Sequence, residues 1–316
     1  MRAAFLRLSG VLLLAGAFAP GWALAGGSTA ANFLQMDTSA RSMGMGSAFV
    51  AVADDHSALY HNPAGLAQVD RKEAGLDYVR APMDVAYHDA TYAHPLPPRW
   101  TAAAGFNYMN VGPLTKTDDT GAQIGTYMGT GMAIELALAR DLGYGLKFGV
   151  GGKIVRESLD TRIGAAPAFD VGLLYDYSRL RIGAAVKEMG PGLKLSQDTI
   201  PLPMTVKYGA SYRVTTDGFV DALIVSAEAR HVRDEDMQGA FGSELRLRGA
   251  GVCDFLALRI GYKVRDEYSS EGPDITGSFG VRILDNYYVD LAFLPYEKMG
   301  IMAVVSLTVR FGSARE

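Results

Sequence analysis

The sequence predicts an all-β fold, a single 14-stranded antiparallel transmembrane β-barrel, and three observations carry that expectation. Polar and apolar residues alternate with period two from near Lys72 to Phe311. About fourteen such segments follow one another, separated by turn residues, with no helical pattern between them. A secretory leader stands ahead of them. In Leu256-Ala257-Leu258-Arg259-Ile260-Gly261-Tyr262-Lys263-Val264 the even positions are bulky and apolar, and the odd ones are small or cationic. Period two gives a strand two different faces. A soluble sandwich would turn the apolar face into a core. For strands this numerous, this long and this polar on the second face, the closed arrangement is lipid outside and a polar lumen inside.

Met1 to Ala25 reads as a signal peptide. Arg2 and Arg7 form the positive region, Leu8 to Ala19 the apolar run, and Ala23-Leu24-Ala25 a cleavage site before Gly26. The run is too short for a spanning helix and ends at Pro20 and Gly21. The chain thus divides into 1–25 (signal), 26–71 (N-terminal segment) and 72–316 (barrel). The address is the outer membrane of a Gram-negative-type bacterium, with its lipid as one partner. A net charge of −4 gives no reason to expect a nucleic-acid partner. Cys253 is the only cysteine, and no Cys/His spacing suits a metal, so no cofactor is expected. The histidines 56, 61, 88, 94 and 231 form no helical ligand pair, and no serine sits in a nucleophile elbow. No enzyme is expected.

Residues 26–71 lack the alternation. Asp54 or Asp55 is placed to cap a short helix over 56–61, and Asn62-Pro63 to end it. The strands are expected at 72–80, 84–94, 100–110, 126–141, 144–158, 167–178, 179–188, 202–214, 219–232, 239–250, 254–265, 274–284, 287–295 and 301–311. Tight turns such as Tyr177-Ser178-Arg179 and Asp285-Asn286 alternate with longer connections, among them Asn110 to Gly125, Ser158 to Pro167 and Met189 to Pro203. Short turns at one end and longer loops at the other is the outer-membrane pattern, with both termini on the periplasmic side. Leu146, Phe148, Leu256, Leu258 and Ile260 face out; Lys147, Lys153, Asp170, Asp176, Arg181, Lys207, Arg213, Glu228 and Glu244 face in. An Arg or Lys facing mid-bilayer lipid costs about 2–4 kcal/mol, which fixes the register. The strand around Tyr87 to His94 is ambiguous.

The candidate site is the inward cationic wall Arg230, Arg246, Arg248, Arg259, Arg282 and Arg310, with Asp54, Asp55, Asn62 and Pro63 of the N-terminal segment against it. Two readings stand side by side. The wall grips an acidic ligand group, or Glu228, Glu244, Asp290 and the acids Asp37, Asp54 and Asp55 neutralise it internally. In either case Asp54 or Asp55 is expected to pair with an inward arginine of barrel strands nine to fourteen.

The segment from Ala40-Arg41-Ser42-Met43-Gly44-Met45-Gly46 through Asp54-Asp55 to Asn62-Pro63-Ala64-Gly65-Leu66 resembles the N-terminal signature of PorV/PorQ proteins, within the wider FadL-like group of outer-membrane barrels. The resemblance implies a 14-stranded barrel with residues 26–71 as a plug or hatch in the lumen. It implies passive transport of hydrophobic or amphipathic small molecules as the FadL-like function. The alternative is a PorV-like docking or shuttle role in a type IX-like secretion system, with secreted protein as cargo. The chain is shorter than fatty-acid carriers and lacks a long apolar loop to collect substrate.

Overall fold

The computed structural model describes residues 29–195, 198–249, 253–264, 274–296 and 300–314. The expected signal peptide, and the expected loop over 266–273, lie outside the described residues. Residues 72 onward form β1 (Lys72–Arg80), β2 (Val85–Leu96), β3 (Trp100–Thr117), β4 (Gln123–Gly143), β5 (Leu146–Leu159), β6 (Arg162–Tyr177) and β7 (Leu180–Met189). After β8 (Leu193–Lys194) and β9 (Thr199–Ile200) come β10 (Thr205–Thr215), β11 (Val220–Val232), β12 (Gln238–Arg248) and β13 (Cys253–Val264). β14 (Ile275–Ile283), β15 (Tyr287–Tyr296) and β16 (Gly300–Phe311) complete the set. Fourteen of these strands close into an antiparallel barrel, sealed where β1 pairs with β16 from Lys72↔Phe311 to Arg80↔Ala303. β8 and β9 form a separate two-stranded ribbon.

Two expected loops are strand instead. β3 and β4 run 18 and 21 residues and turn only at 118–122, and β5 and β6 meet across 160–161. Past residue 111 neither face of this hairpin is buried, so the burial contrast that marks a spanning strand disappears although pairing continues through Leu114↔Tyr127 and Thr115↔Thr126. The expected loop 189–203 carries the ribbon, and Leu193 of β8 and Leu202 just after β9 are fully buried.

The outer face is apolar: Ile134, Leu136, Ile154, Leu258 and Ile260 are exposed, as a lipid-facing wall requires. Aromatic groups collect at both ends of the wall. Tyr78, His88 and Tyr108 stand side by side near the loop end, and Tyr92 stacks on Phe311 at the other. The ambiguous strand β2 is thereby assigned: Asp89 and Thr91 point in, while His88 and Tyr92 point out.

Residues 29–71 fill the lumen as a string of short turns: a 3₁₀ turn Asn32–Gln35, α1 (Ala40–Gly44), α2 (Ala58–His61) and a 3₁₀ turn Pro63–Gln68. Their backbone lies directly on the wall. At Gly172 a Cβ would overlap the Asn62 side chain, and at Gly261 it would overlap the backbone of Gly46. Glycine at these inward positions is what lets the segment sit so close. One buried apolar cluster, including Phe33, Met43, Tyr87, Leu202, Leu294 and Met302, lies toward the long-loop end. A second, around Met45, Phe49, Leu59, Leu66 and Ile224, lies deeper.

Candidate functional site

The polar centre of the lumen is organised by a residue of the plug itself, Arg41. Its Nη1 donates to Asp54 at 2.6 Å and to Asp55 at 2.5 Å, and its Nε donates to Glu244 of β12 at 2.9 Å. Burial alone would raise the Asp54 carboxyl, but the Arg41 guanidinium, then Arg213, outweighs it and holds the group well below the usual carboxylate range. Asp55 is likewise held low, burial being overcome first by Arg41. The expected pairing is corrected here. Asp54 meets Arg41 and, at 3.2 Å, Arg213 of β10, the eighth barrel strand, rather than an arginine of strands nine to fourteen. Helix capping is corrected too. Ser57, not Asp54 or Asp55, occupies the N-cap of α2, and no side chain caps it; Asp55 instead accepts from the Ser57 N–H at 3.0 Å.

Glu244 is the second hub. Directly opposite Arg259 in the β12–β13 register, it accepts from Arg259 Nε at 2.6 Å, from Arg246 Nε at 2.8 Å and from Arg41. Arg259 also reaches Asp290 at 2.5 Å. Arg310 pairs with Glu73 at 2.6 Å and donates to the Tyr288 hydroxyl at 2.8 Å. Arg181 pairs with Asp176 at 2.5 Å and donates to the Val52 carbonyl of the plug. These arginines surround a cavity of 270 Å³ at the short-turn end of the lumen, with Arg282, Phe255, Tyr288, Ser306 and Thr308 on the same wall. A smaller cavity of 100 Å³ adjoins it through Asp54, Arg181 and Arg213.

The other sequence candidates fall elsewhere. Asn62 accepts from the Ala64 N–H, capping the 3₁₀ turn that Pro63 opens, and its Nδ2 donates to Val50 O at 2.9 Å and Leu173 O at 3.0 Å. It is a buried clamp between plug and β6, away from the arginines. Arg230 donates to Gln35 of the plug at 2.7 Å, outside the cavity. Arg248 shares the inward parity but lies at the end of β12, half-exposed and 3.5 Å from Asp221, so it leaves the site. Glu228 accepts from the Phe49 and Val50 N–H groups at 2.8 Å each, a plug contact rather than a charge partner for the arginines.

Sequence reasoning passed over Arg41, the aromatic pair Phe255 and Tyr288, and the buried group of Lys153 with Glu135, Asp170 and Glu188 across the lumen. The signal for Arg41 was present: it is the one lysine or arginine in the stretch from Asp37 to Asp70, which also holds Asp54 and Asp55. His56 hydrogen-bonds Thr91 at 2.5 Å and Thr308 at 2.8 Å, and burial pulls its pKa down.

No protein-family model matches the sequence, and no curated protein matches it. Solved structures do. The Ralstonia pickettii toluene transporter TbuX superposes with a TM-score of 0.63 at 16% identity, over 86% of this chain and 97% of its own. The Pseudomonas putida toluene transporter TodX gives 0.58 at 13% identity, over 85% and 98%. A Pseudomonas aeruginosa FadL homologue gives 0.56 at 11% identity, over 87% and 98%. At these identities the likeness is one of fold, a closed antiparallel β-barrel shared over nearly the whole length of each of these chains.

Proposed function

We propose that the protein is a passive outer-membrane channel for hydrophobic or amphipathic small molecules. The observation that carries this reading is the division of the lumen. Toward its long-loop end the lumen holds a buried apolar cluster that includes Phe33, Met43, Leu202, Leu294 and Met302, whereas the short-turn end is lined by arginines and acids. A purely mechanical plug has no need of such a zone. A hydrophobic solute gains about 25 cal/mol for each Å² of apolar surface it buries there. The fold shared with toluene transporters makes a monoaromatic hydrocarbon the first substrate to try.

The test is initial uptake of radiolabelled toluene by cells that lack other hydrocarbon channels, with and without this protein. Faster uptake that disappears when the protein is absent is expected. Equal rates, with the barrel verified in the outer membrane, would sink the reading. The docking or shuttle alternative draws no support from the structures compared.

A further inference from the structure

We propose that the arginine vestibule binds a phosphate-class oxyanion, a function separate from the passage of hydrophobic molecules. Besides Arg41 and Arg259, five guanidiniums from five strands, Arg181, Arg213, Arg246, Arg282 and Arg310, line the 270 Å³ cavity. Each offers five N–H donors and no acceptor. The neighbouring carboxylates occupy only part of that capacity. Arg213 commits Nη2 to Asp54. Arg282 stands 3.5 Å from Asp254 and 3.4 Å from Asp285, and its buried Nε makes no hydrogen bond.

Aromatic faces hold the guanidiniums in place. Arg282 lies 4.6 Å over the Phe255 ring, Arg246 lies 5.4 Å over the same ring, and Arg310 lies 4.6 Å over Tyr288. Stacking fixes a guanidinium through its flat face and leaves the N–H edge free. Forks ordered in this way lose little rotamer freedom when an anion arrives.

Shape selects the anion. A planar carboxylate receives guanidinium forks in its own plane. Glu244 already accepts Arg41, Arg246 and Arg259 on its two oxygens. The five vestibule arginines approach from β7, β10, β12, β14 and β16, spread around one side of the barrel. A tetrahedral anion, with oxygens directed to several sides, suits that spread better. At about 30 Å³ per water, the cavity holds such an ion with part of its hydration shell. The acids facing the same space, Asp54, Asp55, Asp70 and Asp290, temper the field and make the binding sensitive to salt.

The phosphate group can come from free phosphate or from a phospholipid headgroup, and the experiment separates them. The mature protein in neutral detergent is titrated calorimetrically with inorganic phosphate at constant ionic strength. Saturable binding is expected, weakened about tenfold by Arg246→Gln and by Arg282→Gln, as loss of a charge-assisted hydrogen bond implies. Both variants should keep the barrel. Glu244 retains Arg41 and Arg259 in the first, and Arg282's partner Asp285 lies at the exposed rim. Heat-modifiable gel mobility verifies the fold. Arg248→Gln, outside the cavity, should bind like wild type. Competition by dihexanoyl phosphatidylglycerol assigns the headgroup as the source, and lack of competition assigns free phosphate; either supports the site. Absence of saturable phosphate binding in wild type, or binding indifferent to both substitutions, overturns it.

Discussion

Replacing Arg41 with Met tests whether the plug is held by a charge network rather than by shape. The guanidinium serves three carboxylates, and their fates differ. Glu244 keeps Arg246 at 2.7 Å and Arg259 at 2.6 Å, and Asp54 keeps Arg213 at 3.2 Å. Asp55 keeps only the Ser57 amide and hydroxyl. One orphaned carboxylate out of three puts the loss at the low end of the range for a broken buried pair, about 3 kcal/mol. At 1.4 kcal/mol per decade, plug amides should exchange about 100-fold faster at pH 7 while barrel amides hold their rate. The pH dependence gives a second readout. In the wild type Asp54 and Asp55 titrate below their unfolded value of about 4, so their contribution is complete above that pH and is lost as pH falls through the folded values. In Arg41→Met, burial of Asp55 without its cation raises the folded value above the unfolded one. The penalty is then present at pH 7 and relieved as protonation proceeds toward pH 5. After correction for intrinsic exchange, acidification to pH 5 should slow plug opening in the variant and leave the wild type unchanged. Wild-type plug exchange in Arg41→Met at pH 7 would refute the network's role.

Asp54→Ala with Asp55→Ala removes two of Arg41's partners but leaves Glu244, so liposome swelling with small solutes should rise while the barrel stays folded; an unchanged rate removes the anchoring role. Asn62→Ala strips donors from the buried carbonyls of Val50 and Leu173, at about 1–3 kcal/mol for each group left unsatisfied, and hydrogen exchange over 50–68 should report it. Gly172→Val places a side chain where Asn62 lies. Limited proteolysis should then cut within 29–71 and leave the barrel intact, and resistance equal to wild type would contradict the packing.

Much of this fold was legible because lipid imposes a strict rule. From β5 onward the outward bulky residues and the inward charges keep opposite parity along the strands, interrupted at the end of β7 where Lys187 and Glu188 are both buried, and an Arg or Lys turned to mid-bilayer lipid would be costly. Where that rule lapses, reading fails. His88 on β2 faces outward among Tyr78 and Tyr108, a polar ring at the interface that breaks the apolar pattern without breaking the strand. The β3–β4 hairpin past residue 111 has no buried face, so nothing in its alternation marks it. The site was half legible. Inward arginines follow from strand parity, but their partners do not. Arg41 meets Glu244 across 203 residues of sequence, and no periodicity in a chain of short turns signals that contact. Arg248 shows the converse: parity placed it inside, and its position at the strand end put it in water.

The plug is held differently at its two ends, and this bears on how the proposed passage could work. At the short-turn end Arg41, Asp54 and Asp55 are tied to β10 and β12 by ion pairs that are costly to break singly. At the long-loop end polar ties are sparse. The Ala31 N–H donates to Glu157 at 2.8 Å, the Ala30 N–H donates to Pro201 O at 2.9 Å, and Gln35 meets Glu235 at 3.2 Å. Arg230 also donates to Gln35 at 2.7 Å, and beside these ties lies the apolar packing of Phe33 and its neighbours. Such packing is non-directional, so an apolar solute can replace part of it at small net cost, whereas no neutral hydrocarbon can replace Arg41 for Asp55. A hydrophobic molecule arriving from the loop end therefore meets the exchangeable contacts first, with the charged base of the plug still in place. The same asymmetry keeps the 29–36 stretch separable from the arginine vestibule. A change at Phe33 should alter hydrocarbon passage without touching anion binding, and a change at Arg282 should do the reverse.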